Sequence, residues 1–170
     1  MPVTNNIFVL ADRYVDELAA LQPMLATQMG VPGFDGQWGA QDPSGWQDIG
    51  ALLKRTLSAI EALPPSDQYR EQLGRRVLKE HLSGRLDRIE QDHPLQDLNN
   101  IASPVQGFRE TFDLMPKVGA DDWELIASRL GSLHEAVADY IESISEGRRR
   151  GLVVARRQVE AWVEPSRVNS

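Results

Sequence analysis

Proline and apolar spacing together leave this chain little choice but to fold as helices. Ile49, Leu52, Leu53, Thr56, Ile60 and Leu63 recur at intervals that keep them on one helical face, between Asp42-Pro43 and Pro64-Pro65. Asp42 reads as an N-cap and Pro43 as a first helical residue, where its missing N–H costs nothing, and the proline pair ends the run. Ser103, Pro104 and Gln106 repeat that start signal as a capping box. Val105, Phe108, Phe112 and Met115 then share one face of a short helix that Pro116 discourages from continuing.

The remaining segments obey the same period. From about Asn5 to Leu21, Ile7, Ala11, Tyr14, Leu18 and Leu21 form a stripe opposite Asp12, Arg13, Asp16 and Glu17. Pro23 interrupts that helix, a short turn covers Met24 to Gln28, and residues 30–42 form the longest loop, with four glycines and a proline. A long helix from about Ser66 to Gln91 carries two opposed stripes, Tyr69-Leu73-Val77 and Leu78-Leu82-Leu86-Ile89. Such a helix touches two layers or bends near Gly84, and with few helices to cover it, one stripe stays exposed or meets another chain. Asp121 reads as the cap of the clearest helix, with Glu124 as its N3 partner and Ile126, Leu130, Leu133, Val137, Ile141 and Ile144 as its stripe. Arg148, Arg149 and Arg150 oppose the dipole at its end. A last helix is expected over residues 156–164, with Val159, Trp162 and Val163 apolar.

The chain has 170 residues, enough for one domain that buries roughly 70% of its unfolded surface. It lacks cysteine, which removes thiolate catalysis, disulfides and cysteine-ligated zinc. A net charge of -7 argues against nucleic acid as a partner, which needs a basic patch to neutralise phosphates. No apolar run approaches the roughly 20 residues that span a bilayer, and no basic-then-apolar leader opens the chain, so a cytoplasmic protein without membrane contact is expected.

The chemistry-bearing residues are sparse. His134-Glu135 invites a zinc-peptidase reading, but the second histidine position, one turn on, is Ala138. His134 is therefore expected as a packed or hydrogen-bonded histidine against the core. His81 and His93 lie 12 residues apart, roughly 18 Å along one helix, and do not pair. No catalytic and no metal-binding residue is assigned. The best candidates for contact with a ligand or partner are Phe34, Trp38 and Trp46, aromatic rings among glycines and aspartates, weighed against a loop that simply folds over the core.

The stretch Asn99 to Pro116, with Ser103-Pro104-Val105-Gln106-Gly107 and Phe112-Asp113-Leu114-Met115-Pro116, resembles the bacterial domain-of-unknown-function family eight-eight-five. The resemblance extends upstream to Pro23, Ala26-Thr27, Gly30, Phe34-Asp35 and Asp42 to Gly45, and downstream to Trp123, Arg129-Leu130, Gly147, Gly151 and Val159. It implies a largely helical protein. Members are several times longer and are regarded as zinc-dependent peptidases, because a His-Glu pair and a further His lie in their carboxy-terminal part. This chain resembles the part before it, so zinc is implied only for a longer member.

The expectation is an all-α helical bundle of about six helices, three of them long, without a sheet. Residues 1–170 form a single all-helical domain, the amino-terminal part of a longer protein, with a natural short relative as the competing explanation. Its role would be a non-catalytic scaffold that forms a wall of a substrate cavity, the alternative being a stand-alone helical interaction module. Whether a longer protein is an enzyme stays open. The expected partner is the missing carboxy-terminal catalytic half or a second copy of the chain.

Overall fold

The computed structural model describes residues 6–99 and 101–160. Seven α-helices follow in order: α1 (Ile7–Leu21), α2 (Pro23–Met29), α3 (Pro43–Ala62), α4 (Tyr69–Glu90), α5 (Pro104–Leu114), α6 (Ala120–Gly131) and α7 (Leu133–Arg149), with a 3₁₀ turn at His93–Gln96 after α4. Among the described residues there is no strand, so the fold is all-α. Residues 156–160, including Val159, are again helical, while Trp162 and Val163 lie outside the described residues.

The helix starts follow local chemistry. Asn6 Oδ1 accepts from the amides of Phe8 (3.0 Å) and Val9 (3.1 Å) and so caps α1. Asp42 accepts from Gly45 (2.9 Å) and Ser44 (3.3 Å) and caps α3, with Pro43 in the first turn. Burial pushes the Asp42 carboxyl up, but these bonds and the Ser44 hydroxyl outweigh it and hold it below the usual carboxylate range. Ser103 and Gln106 form the capping box of α5.

α1, α3 and α4 enclose one apolar cluster, including Ile7, Leu10, Leu18, Leu52, Leu53 and Leu82, all buried. Burying each such side chain contributes about 1.5 to 3 kcal/mol. The α4 helix runs without interruption through Gly84 and packs by Leu78, Leu82, Leu86 and Ile89. Its other stripe stays in solvent, with Tyr69 71%, Leu73 38% and Val77 59% exposed. A second cluster joins α2, the loop after it, α5 and α7 through Trp38, Phe108, Ala136 and Tyr140.

The sequence reading needs three corrections. The clearest helix is two helices, α6 and α7, broken at Ser132. Its cap is not Asp121: the helix starts after Gly119, and the Asp122 carboxylate accepts from the amides of Val118 (2.8 Å) and Gly119 (2.9 Å). The stripe does not face the core as a unit either, since Leu130 is 58% and Ile141 57% exposed. The inward face of α7 is instead Ala136, Tyr140, Ser143 and Gly147, at intervals of four, three and four. At Gly147 the chain around Leu95 lies against this face, and a Cβ there would overlap the Leu95 carbonyl.

Candidate functional site

The loop between α2 and α3 is tied down by backbone and side chain alike. Gly30 (φ 72°), Gly33 (φ 94°) and Gly39 (φ 78°) take left-handed conformations that other residues rarely adopt. Gly39 also has no room for a side chain, because a Cβ there would lie 2.6 Å from the Leu21 carbonyl oxygen. This close turn delivers Trp38 into the second cluster. The indole is buried and packs edge-to-face on Phe108 and Phe112, each at 5.4 Å between ring centres. Its Nε1 donates to the carbonyl oxygen of Arg129 at 2.8 Å.

Arg129 is the unexpected member. Its side chain is fully buried, the one buried residue of α6, and the guanidinium lies 4.9 Å from the Trp38 ring centre. Nε donates to the Gln37 carbonyl (3.0 Å), as does Nη2, and Nη1 donates to the Thr27 hydroxyl (2.9 Å). The Thr27 hydroxyl in turn donates to Asp35 Oδ1 at 2.9 Å. A buried cation is thus matched to an acidic side chain through a threonine relay. Burial lowers the guanidinium pKa and Asp35 opposes the shift, yet an arginine starts so high that it remains charged.

Beside this node a groove of about 350 Å³ opens between the backbone of residues 36–40 and the start of α7. Trp38, Ser132, Glu135 and Asp139 line it. Glu135 and Asp139 stand one turn apart on α7, and Asp139 also accepts from the Gln41 amide at 3.5 Å. Ser143 Oγ donates to the Gln41 carbonyl at 2.7 Å and fixes the end of the loop. The Ser132 hydroxyl sits 3.3 Å from the Arg129 carbonyl and 3.4 Å from that of Ser128, a helix-junction role rather than that of an activated nucleophile. The groove therefore offers two carboxylates, backbone amides and an aromatic edge, which suits a donor-rich or cationic group.

The three aromatic residues singled out in the sequence do not converge. Trp38 lines this groove, whereas Trp46 is half-buried, donates from Nε1 to Gln41 O (3.2 Å) and lines a separate small recess with Pro94 and Arg150. Phe34 is half-buried in the loop, its carbonyl accepting from the Gln37 amide at 3.1 Å.

The histidines are dispersed as well. His134 is not against the core: its side chain is 77% exposed, with Nδ1 3.0 Å from the Gly131 carbonyl and Nε2 4.0 Å from Glu135. His81 lies on the exposed side of α4 and His93 opens the 3₁₀ turn. Among the described residues no three His, Cys, Asp or Glu side chains are grouped to hold a metal, so the donor set does not fit a zinc site.

Thr27 and Arg129, marks of resemblance in the sequence, and Asp35, one of the aspartates of the candidate contact loop, form one hydrogen-bonded chain, and Gly147 is the contact point of α7 with Leu95. The bacterial family described as "Bacterial protein of unknown function (DUF885)" matches residues 23–168. The chain belongs to that family. The match to DUF885 starts at the first residue of α2 and takes in the whole Arg129 node and the groove beside it. Among curated proteins, none matches the chain. Sequence reasoning missed Arg129 as part of a site. The available signal was a charged residue set one position before Leu130, which a search for apolar faces passes over.

Proposed function

We propose that this chain is a non-catalytic helical scaffold segment of a cytoplasmic DUF885 protein, and that its groove forms part of the wall of a substrate cavity. The observation that carries this reading is the Arg129 node. A fully buried guanidinium that donates to the Gln37 carbonyl and packs on the Trp38 ring costs desolvation, and such an arrangement suits a loop that must keep one shape. The wall it shapes presents Glu135 and Asp139 to the opening. These carboxylates suit a peptide amine or a basic side chain, and the hydroxyl beside them, that of Ser132, is directed at the Arg129 and Ser128 carbonyls. The supporting fact for the scaffold role is that the described histidines do not assemble. Zinc-dependent cleavage then belongs to the carboxy-terminal half of a longer family member. The competing reading, a stand-alone interaction module, draws support from the exposed stripes on α4 and on α6 and α7.

Amide-resolved NMR of the ¹⁵N-labelled chain tests this. Titration with short peptides carrying a free amino terminus and lysine should shift residues 36–40 and the Glu135 and Asp139 amides, and Asp139→Asn should weaken the response. An unmoved groove at millimolar peptide would refute the cavity-wall reading.

A further inference from the structure

Two outward helix faces of this chain are apolar, and they are edged by opposite charge. The exposed residues Trp123, Ala127 and Leu130 follow at intervals of four and three on α6, and His134, Ala138 and Ile141 at intervals of four and three on α7, each set one face of its own helix. Trp123 is 54%, Leu130 58% and Ile141 57% exposed. Glu124, Glu135 and Glu142, all exposed, each follow a member of one set by one position. From Val118 to Glu142 the chain has a single lysine or arginine, Arg129, and that one is buried.

The second face is the outer side of α4. Tyr69, Leu73 and Val77 are exposed along it, and Phe8 of α1 adjoins it, since a Cβ at Gly74 would meet the Phe8 ring at 3.6 Å. Phe8 itself is 47% exposed. Arg70 and Arg76 are exposed on this helix and make no ion pair among the described residues, whereas Arg75 is engaged by Glu71 and Lys79 by Glu61. Glu80 is the first acidic residue to follow on that face.

We infer that α4 of one copy seats on the α6–α7 face of a second copy. An apolar stripe with arginines at its edge meets an apolar stripe with glutamates at its edge, the arrangement by which packed helices choose partner and orientation. When the contact is made reciprocally, each copy gives its α4 and receives its partner's, which closes a dimer. Trp123 is the aromatic anchor, because a large, exposed aromatic ring loses most from truncation at such a contact.

Light scattering and sedimentation of the purified chain over a wide concentration range test this. The expected result is a dimer that weakens with added salt, and Trp123→Glu should raise its dissociation constant by about tenfold or more. Reversal of either edge, Arg70→Glu with Arg76→Glu or Glu124→Lys with Glu142→Lys, should split it, and the four changes together should restore it. All these positions are exposed, and circular dichroism should give each variant the helical signal of the native chain. A strict monomer at high concentration would overturn the inference and assign both faces to other cover, such as the remainder of a longer family protein. A dimer that neither charge reversal affects would also overturn it.

Discussion

Replacing Arg129 with methionine removes one cation, three hydrogen bonds and the contact with the Trp38 face, while keeping an unbranched apolar chain of similar reach. Hydrogen bonds from a charged donor contribute about 1.5 to 3 kcal/mol each, so the gross loss is several kcal/mol. Against it stands the desolvation of a fully buried guanidinium, itself several kcal/mol, which the variant no longer bears. The acceptors decide the balance. The Thr27 hydroxyl loses its donor while buried and the Gln37 carbonyl while part-buried, whereas Asp35, at the half-exposed end of the relay, can return to water. A net loss of roughly 2 to 3 kcal/mol follows, which for a chain of this length lowers the melting temperature by roughly 5 to 10 °C. Arg129→Lys should recover only part of it, because an ammonium cannot span Gln37 and Thr27 as a planar fork does. Thermal denaturation gives the magnitude, and the Trp38 indole N–H resonance reports the loop. A loss below about 0.5 kcal/mol together with an unmoved indole signal would refute the reasoning, since a latch without energetic or positional consequence is not a latch.

Further outcomes follow from particular contacts. Gly147→Ala should destabilise by about 3 kcal/mol, since the overlap is with backbone that cannot turn away, while Gly84→Ala, in open space on the same kind of helix, should stabilise by up to about 1 kcal/mol; chemical denaturation of the pair separates crowding from propensity. Burial raises the Asp97 carboxyl pKa and Arg88 only partly offsets it, so its ionised form is disfavoured in the fold. The stability linked to it is present below the unfolded pKa and is lost as pH rises through the folded one. Asp97→Asn should therefore be more stable than the native chain at neutral pH, with the difference closing in acid, as pH-dependent urea melts would show. Asp122→Ala should lower helicity at neutral pH and Asp121→Ala should leave it unchanged, because only Asp122 receives the Val118 and Gly119 amides.

The legible part of the fold lies where helix chemistry is local. Asp42 with Pro43, and Ser103 with Pro104 and Gln106, cap the helices that their types predict, and Tyr69, Leu73 and Val77 are the exposed stripe of a two-sided helix. The break at Ser132 was harder to see. A helical period continues across a kink, and Gly131-Ser132 lowers propensity without stopping a helix outright. The inward face of α7 was invisible for a different reason. Hydrophobicity marks faces by large side chains, but Ala136 packs in the Trp38 cluster, Ser143 bonds the Gln41 carbonyl, and Gly147 is inside because the Leu95 backbone leaves no space for a side chain. His134 was assigned to the core by that same shift of face. The site was legible only in part: Trp38 stood out by residue type, whereas its partner Arg129 is a charge whose burial depends on Thr27, Asp35 and Gln37, about a hundred residues away in sequence.

Whether this chain shapes a groove without catalysing a reaction in it is decided by incubating it with one equivalent of zinc and a mixture of unblocked peptides and following every peptide by mass spectrometry. All peptides should remain intact. Cleavage that Glu135→Gln abolishes while the helical signal is kept would contradict the scaffold role and make the groove an active site.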